Sequence, residues 1–155
     1  MSDSANATLE AAGWRIVDDD GFINLVGPLW RRTVGETPEY AIVGQDKHRN
    51  RRGVVQGGLL MTLADRTCGI TARFFAGVEA TATVQMDTHF VEAARIGELM
   101  ISRPRVVRIT KSLIFMATEV SVESRCVATA SGVFKIVRKE VGPPSSGRKS
   151  EALKP

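Results

Sequence analysis

Residues 50–77 hold the groups best able to do chemistry: Asn50, the run Gln56-Gly57-Gly58, and Asp65 inside the apolar stretch that follows. From Gly58 to Ala76 there is no proline, and only Asp65, Arg66 and Arg73 carry charge. That composition predicts a buried helix with Gly77 as its C-terminal stop. At helical spacing the neighbours of Asp65 are Met61, Cys68, Gly69 and Ala72, so the stripe carrying the carboxylate is otherwise small or apolar. Burying an unpaired carboxylate is expensive, so a chain that keeps one pairs it structurally or uses its perturbed basicity. Arg66 lies about 100° round the helix and is a poor local partner. The residues alone leave a catalytic acid and a structural ion pair both open.

The head of this helix is the second feature. Gly57-Gly58 lets the backbone approach a ligand, and the first turn presents unpaired N–H groups at the positive end of the helix dipole. Those donors suit a phosphate or a developing oxyanion; the plainer reading is that the glycines only turn the chain. Asp65 lies eight residues past Gly57, roughly 12 Å along the axis, too far for both to touch one reacting carbonyl. A site that uses both must draw them from different subunits. Two such helices related by a two-fold axis bring each Asp65 to the other chain's Gly57, giving a homodimer with two equivalent sites.

Asn50, Gly53, Gln56-Gly57-Gly58 and Leu63-Ala64-Asp65 together resemble the signature of hotdog-fold acyl-CoA thioesterases, particularly the group that includes the phenylacetate-pathway enzymes. The likeness extends over about residues 15–138, with one departure: Gln56 stands where that family usually has His. The resemblance implies hydrolysis of an aryl- or medium-chain acyl-CoA to free acid and CoA by a homodimer or a dimer of dimers, with no cofactor and no metal. It implies that the Gly57 N–H polarises the carbonyl, and that Asp65 of the other subunit is general base or nucleophile through an anhydride. It implies too that the Asn50 amide binds the carbonyl or orients water, although a loop asparagine often just holds its loop. Thr83 matches a position where a Ser or Thr places the acid or the water; otherwise it is an ordinary strand threonine. Gln56 keeps a donor and an acceptor but carries no proton at neutral pH, and activity is expected to persist. Two other readings stay open: a hotdog dehydratase or hydratase, which the loss of the His disfavours, and a non-catalytic acyl-CoA-binding sensor.

Which elements position these residues? At 155 residues, 43% hydrophobic and 25% charged, the chain reads as one ordinary globular domain. No apolar run approaches the roughly 18 residues that span a membrane, and Met1 to Asn6 lacks signal-peptide regions, so a cytoplasmic protein is expected. Cys68 and Cys126 show no metal spacing and read as reduced core residues, and neither His48 nor His89 has a Cys or acid cluster beside it. The net charge of +4 is modest and scattered, which argues against nucleic acid and suits an anionic small ligand.

A short helix is predicted within residues 5–17 and strands over Phe22 to Trp30 and Tyr40 to Val43, before a polar loop that delivers Asn50. After the helix come strands over 84–90, 98–109, 112–124 and 126–137, with Val84, Met86, Thr88 and Phe90 alternating against Gln85, Asp87 and His89. Two strands, one long helix, then four antiparallel strands make an α+β fold, an antiparallel sheet wrapped around one central helix. The longer strands are expected to bulge. Residues 139–155, rich in Pro, Gly and Ser, are expected to be a disordered tail. For the substrate, Gly58 is a candidate binding residue, and Leu60, Met61, Phe74 and Phe75 are candidates for the acyl end. Arg103, Arg105, Arg108, Lys111, Arg125 and Lys135 are candidates for CoA phosphates.

Overall fold

The computed structural model describes residues 3–138; the tail over 139–155 lies outside them. In chain order the elements are α1 (Asp3–Ala11), β1 (Arg15–Ile16), α2 (Gly21–Val26), β2 (Trp30–Val34), β3 (Thr37–Val43), a 3₁₀ turn (Asp46–His48), α3 (Gly57–Ala76), β4 (Ala80–Phe90), β5 (Leu99–Ser102), β6 (Arg105–Ile109), β7 (Leu113–Val122) and β8 (Arg125–Val137). The strands form one antiparallel sheet in the order β1-β2-β3-β5-β7-β8-β4, with β6 also on β7. This is the expected α+β hotdog arrangement, with α3 lying across the sheet.

α3 runs for 20 residues and ends as its sequence dictates, with Gly77 left-handed (φ 62°) and its N–H closing on Arg73 and Phe74. Its buried side is Leu59, Leu60, Leu63, Ala64, Thr67, Cys68, Thr71 and Ala72. The expectation of a helix buried all round is corrected: Met61, Phe74 and Phe75 are exposed, and Asp65, Gly69 and Arg73 are half-buried on the open side. Against the covered side pack Tyr40, Ile42, Met100, Val120, Ala128 and Ala130 from the sheet. A buried chain of hydroxyls fastens helix to sheet: Thr67 donates to Leu63 O (2.7 Å), and Ser102 stands 2.8 Å from both Thr67 and Thr118. On the other side of the sheet Trp14, Trp30 and Ala41 form a second core beneath Leu9 of α1.

Several boundaries differ from the sequence reading. The leading helix stops at Ala11, and Arg15–Ile16 pairs with Trp30 and Arg31 instead. The run Phe22 to Val26 is helical, not a strand. Ile23 and Val26, three apart, turn to the core, while Phe22 and Leu25 stay 60% and 70% exposed. The stretch 98–109 is two strands rather than one, because Pro104 brings no N–H to the ladder it follows along β7. Bulges do appear, one of them at Val84 between the paired residues Thr83 and Gln85. There Val84 leaves the alternation, and Thr83, though exposed, stands opposite Phe134 on the side that faces α3.

Candidate active site

The loop before α3 is held from both ends of His48. The ring is buried; its Nδ1 accepts from Gln45 N–H (3.0 Å) and its Nε2–H donates to Val26 O (2.8 Å). Burial lowers the basicity of this imidazole, the Val26 contact opposes that, and neighbouring Lys47 adds to it; the net direction is down. The backbone oxygen of the same residue accepts from Gln56 N–H (2.8 Å). Lys47 Nζ donates to Leu25 O and Gly27 O, so the end of α2 is strapped to the approach of α3. The sequence alone assigns His48 no role, since a buried histidine's partners are set by tertiary contact.

Asn50 stands next in the loop. Its Oδ1 accepts from Arg52 N–H (2.8 Å) and Val54 N–H (3.4 Å), with Gly53 left-handed (φ 81°) between them. The loop-holding role is therefore real, and the residue also lines a cavity of about 570 Å³ with Gln56, Gly57, Leu60, Phe90 and Ala94. Arg52 and Glu92 bring charge to this cavity. Gly57 N–H at the head of α3 is engaged by Gln56 Oε1 at 3.0 Å. A methyl added at Gly57 would meet the Phe90 ring at 3.1 Å, so glycine is what lets helix and ring come together. Phe90 is 55% exposed here, a neighbour of Gly57 that no sequence spacing announced.

Asp65 lies two turns on, half-buried, and its Oδ1 accepts from Thr83 Oγ1 at 2.8 Å. It lines no part of the Gly57 cavity in its own chain. Its charge reaches the next turn of the helix: burial first, and then Asp65, push the pKa of the Cys68 thiol up to about 12, so this cysteine is no nucleophile at neutral pH. β4, which carries Thr83 and Phe90, ends the sheet, and its outer edge has no strand partner among the described residues.

The remaining candidates scatter. Gly58 lines a second cavity of about 460 Å³ on the α2 side, whereas Met61 lines neither cavity. Phe74 and Phe75 pack edge to face (5.2 Å) at the far end of α3, about 26 Å along the axis from Gly57. Arg103 is committed to Glu39 (2.6 Å) and Ser121, and Arg32 holds the other oxygen of Glu39. Burial would raise the Glu39 pKa, but the two guanidiniums outweigh it and hold it below the usual range. Arg105 shares a separate groove with Arg103, His89 and Glu119. Arg125 is tied to Glu92 and Glu98, each at 2.7 Å. Among the described residues no three His, Cys, Asp or Glu side chains converge as metal ligands, and no helix is long and apolar enough to cross a membrane.

Residues 52–128 match the family model of the thioesterase superfamily. The Pseudomonas aeruginosa protein named "Putative esterase PA0474" is 31% identical over 116 residues, covering 74% of this chain and 87% of that one. The acetyl-coenzyme A thioesterase of the mouse is 29% identical over 104 residues, 62% of this chain but 19% of the mouse protein. Zebrafish thioesterase superfamily member 2 superposes with a TM-score of 0.69 at 19% identity, over 77% of this chain and 89% of that one.

Proposed function

The chain belongs to the thioesterase superfamily and is a thioester hydrolase of hotdog fold, and on that premise we propose that it hydrolyses an acyl-CoA at a site shared by two subunits. The observation that carries this reading is the division of labour along α3. Gly57, its N–H capped by Gln56 Oε1, lines a cavity, while Asp65, fixed by Thr83, sits roughly 12 Å away beneath the edge of β4 that has no strand partner among the described residues. Antiparallel pairing of two β4 edges about a two-fold axis joins the halves.

In this site the thioester oxygen replaces Gln56 Oε1 on Gly57 N–H. Rotation of the Gln56 carboxamide then presents its Nε2–H to the same oxygen. The partner subunit's Asp65 takes a proton from water as the water oxygen bonds to the carbonyl carbon. Collapse of the tetrahedral intermediate breaks the C–S bond, and the thiolate takes up a proton to leave CoA and a free acid. Attack by the carboxylate itself, through an anhydride that water then opens, uses the same placement. Thr83 orients the acid, and Asn50 keeps the Arg52–Val54 turn at the cavity's edge.

A free-thiol release assay across acetyl-, hexanoyl- and phenylacetyl-CoA tests it. Wild type releases thiol, and Asp65→Asn, which keeps the shape and an acceptor for Thr83, loses on the order of 10²–10⁴ in kcat. Wild-type turnover in Asp65→Asn would remove the base from this scheme.

A further inference from the structure

The cavity of about 460 Å³ between α2 and the first turns of α3 has no part in the scheme above. Its walls are Phe22 and Val26 from α2, and Gly58, Leu59 and Thr62 from α3, with Gln56 on its border. Gln56 is also on the border of the Gly57 cavity, so the two spaces meet at the side chain that caps Gly57 N–H. Lys47, His48 and Arg49 also line this space, and their polar groups are engaged elsewhere. Lys47 Nζ donates to the carbonyls of Leu25 and Gly27, Arg49 pairs with Asp46 (3.6 Å), and both nitrogens of His48 are engaged. What remains toward the cavity is largely apolar.

We propose that this cavity receives the acyl group of the substrate, with Phe22 and Val26 as the residues that set which acyl groups are accepted. The inference rests on the hydrolysis of an acyl-CoA proposed above. An acyl carbon held with its oxygen on Gly57 N–H lies at the Gln56 border. One substituent then points to the Asn50 and Arg52 cavity, the more polar of the two and the one that suits the amide-bearing pantetheine arm, and the other to the α2 cavity. The occupant is an apolar chain of medium length or a single aryl ring, because the volume is of small-ligand size and offers apolar walls. α2 is a firm wall for such a pocket, since it packs on the core through Ile23 and Val26, and four hydrogen bonds from the 45–48 turn hold its end. Phe22 is thus a mostly exposed ring on a fixed support, outside the packing of the core.

Two variants and two readouts test the assignment. Val26→Phe fills the cavity and Phe22→Ala opens it. In the thiol-release assay the ratio of hexanoyl-CoA to acetyl-CoA kcat/KM is expected to fall at least tenfold in Val26→Phe, and to shift several-fold in Phe22→Ala. By calorimetry the unreactive thioether hexyl-CoA is expected to bind wild type at least tenfold tighter than CoA, with that gain lost in Val26→Phe. Equal losses for acetyl- and hexanoyl-CoA, or a hexyl gain that survives both substitutions, would overturn the acyl site while leaving hydrolysis in place. A hexyl gain that depends on Val26 in a wild type that releases no thiol would instead support the cavity and refute the hydrolysis.

Discussion

Gln56 stands where the resemblance read from the sequence leads one to expect His, and its geometry defines what the glutamine can do there. Its Oε1 already accepts the Gly57 N–H, so in the proposed site substrate binding exchanges one acceptor for another. Exchange at a helix N-terminus conserves the number of hydrogen bonds, and the freed amide can add a donor where charge builds. Gln56→Glu separates these functions: it keeps the acceptor for Gly57 and removes the Nε2–H. Its kcat on acetyl-CoA is expected to fall about 10²-fold or more with an unchanged thermal midpoint. An unchanged kcat would show that the amide donor has no role. Asp65, at the same scale, makes no ion pair among the described residues: its contact is the Thr83 hydroxyl 2.8 Å away, not an arginine.

At the scale of elements, the approach to α3 depends on one imidazole in one protonation state. Gln45 N–H must find an unprotonated Nδ1, so protonating His48 breaks that contact and places a cation beside Lys47. With a folded pKa below the ordinary 6.5, the unfolded chain binds the extra proton first, and stability falls as pH drops through and below 6.5. Denaturant unfolding followed between pH 7.5 and 5 is expected to show this slope, and His48→Gln to flatten it. An equal slope in both proteins would assign the effect elsewhere. Glu39 and Glu98, held below 4.5, weaken the fold only at lower pH.

α3 was legible because twenty residues without proline, ended by Gly77, leave no other solution, and β4, β7 and β8 showed their alternation. α2 was not, because Phe22 to Val26 is too short a run for its period to distinguish strand from helix, and only packing of Ile23 and Val26 decides it. A bulge was expected in so long a strand, but its place at Val84 was hidden. Strict alternation would put Val84 on the side facing α3, whereas Thr83 pairs with Phe134 on that side and so reaches Asp65. The cavity walls Phe22 and Phe90 come from elements far apart in sequence, which no spacing rule joins.

At the scale of the whole molecule, the proposed site makes Gly57 and Asp65 partners across a two-fold axis rather than within one chain. Their separation along a rigid helix, the absence of Asp65 from the Gly57 cavity, and an eleven-residue edge strand carrying both Thr83 and Phe90 all favour that arrangement. The most direct test is activity of mixed dimers. Asp65→Asn and Gln56→Glu subunits, each nearly inactive alone, are unfolded together, refolded and assayed for thiol release, with subunit mixing verified by mass spectrometry. A random mixture places one intact site in half of the dimers, so about a quarter of wild-type activity is expected to return. Verified mixed dimers with no more activity than their parents, or a strictly monomeric protein with full turnover, would contradict the shared site.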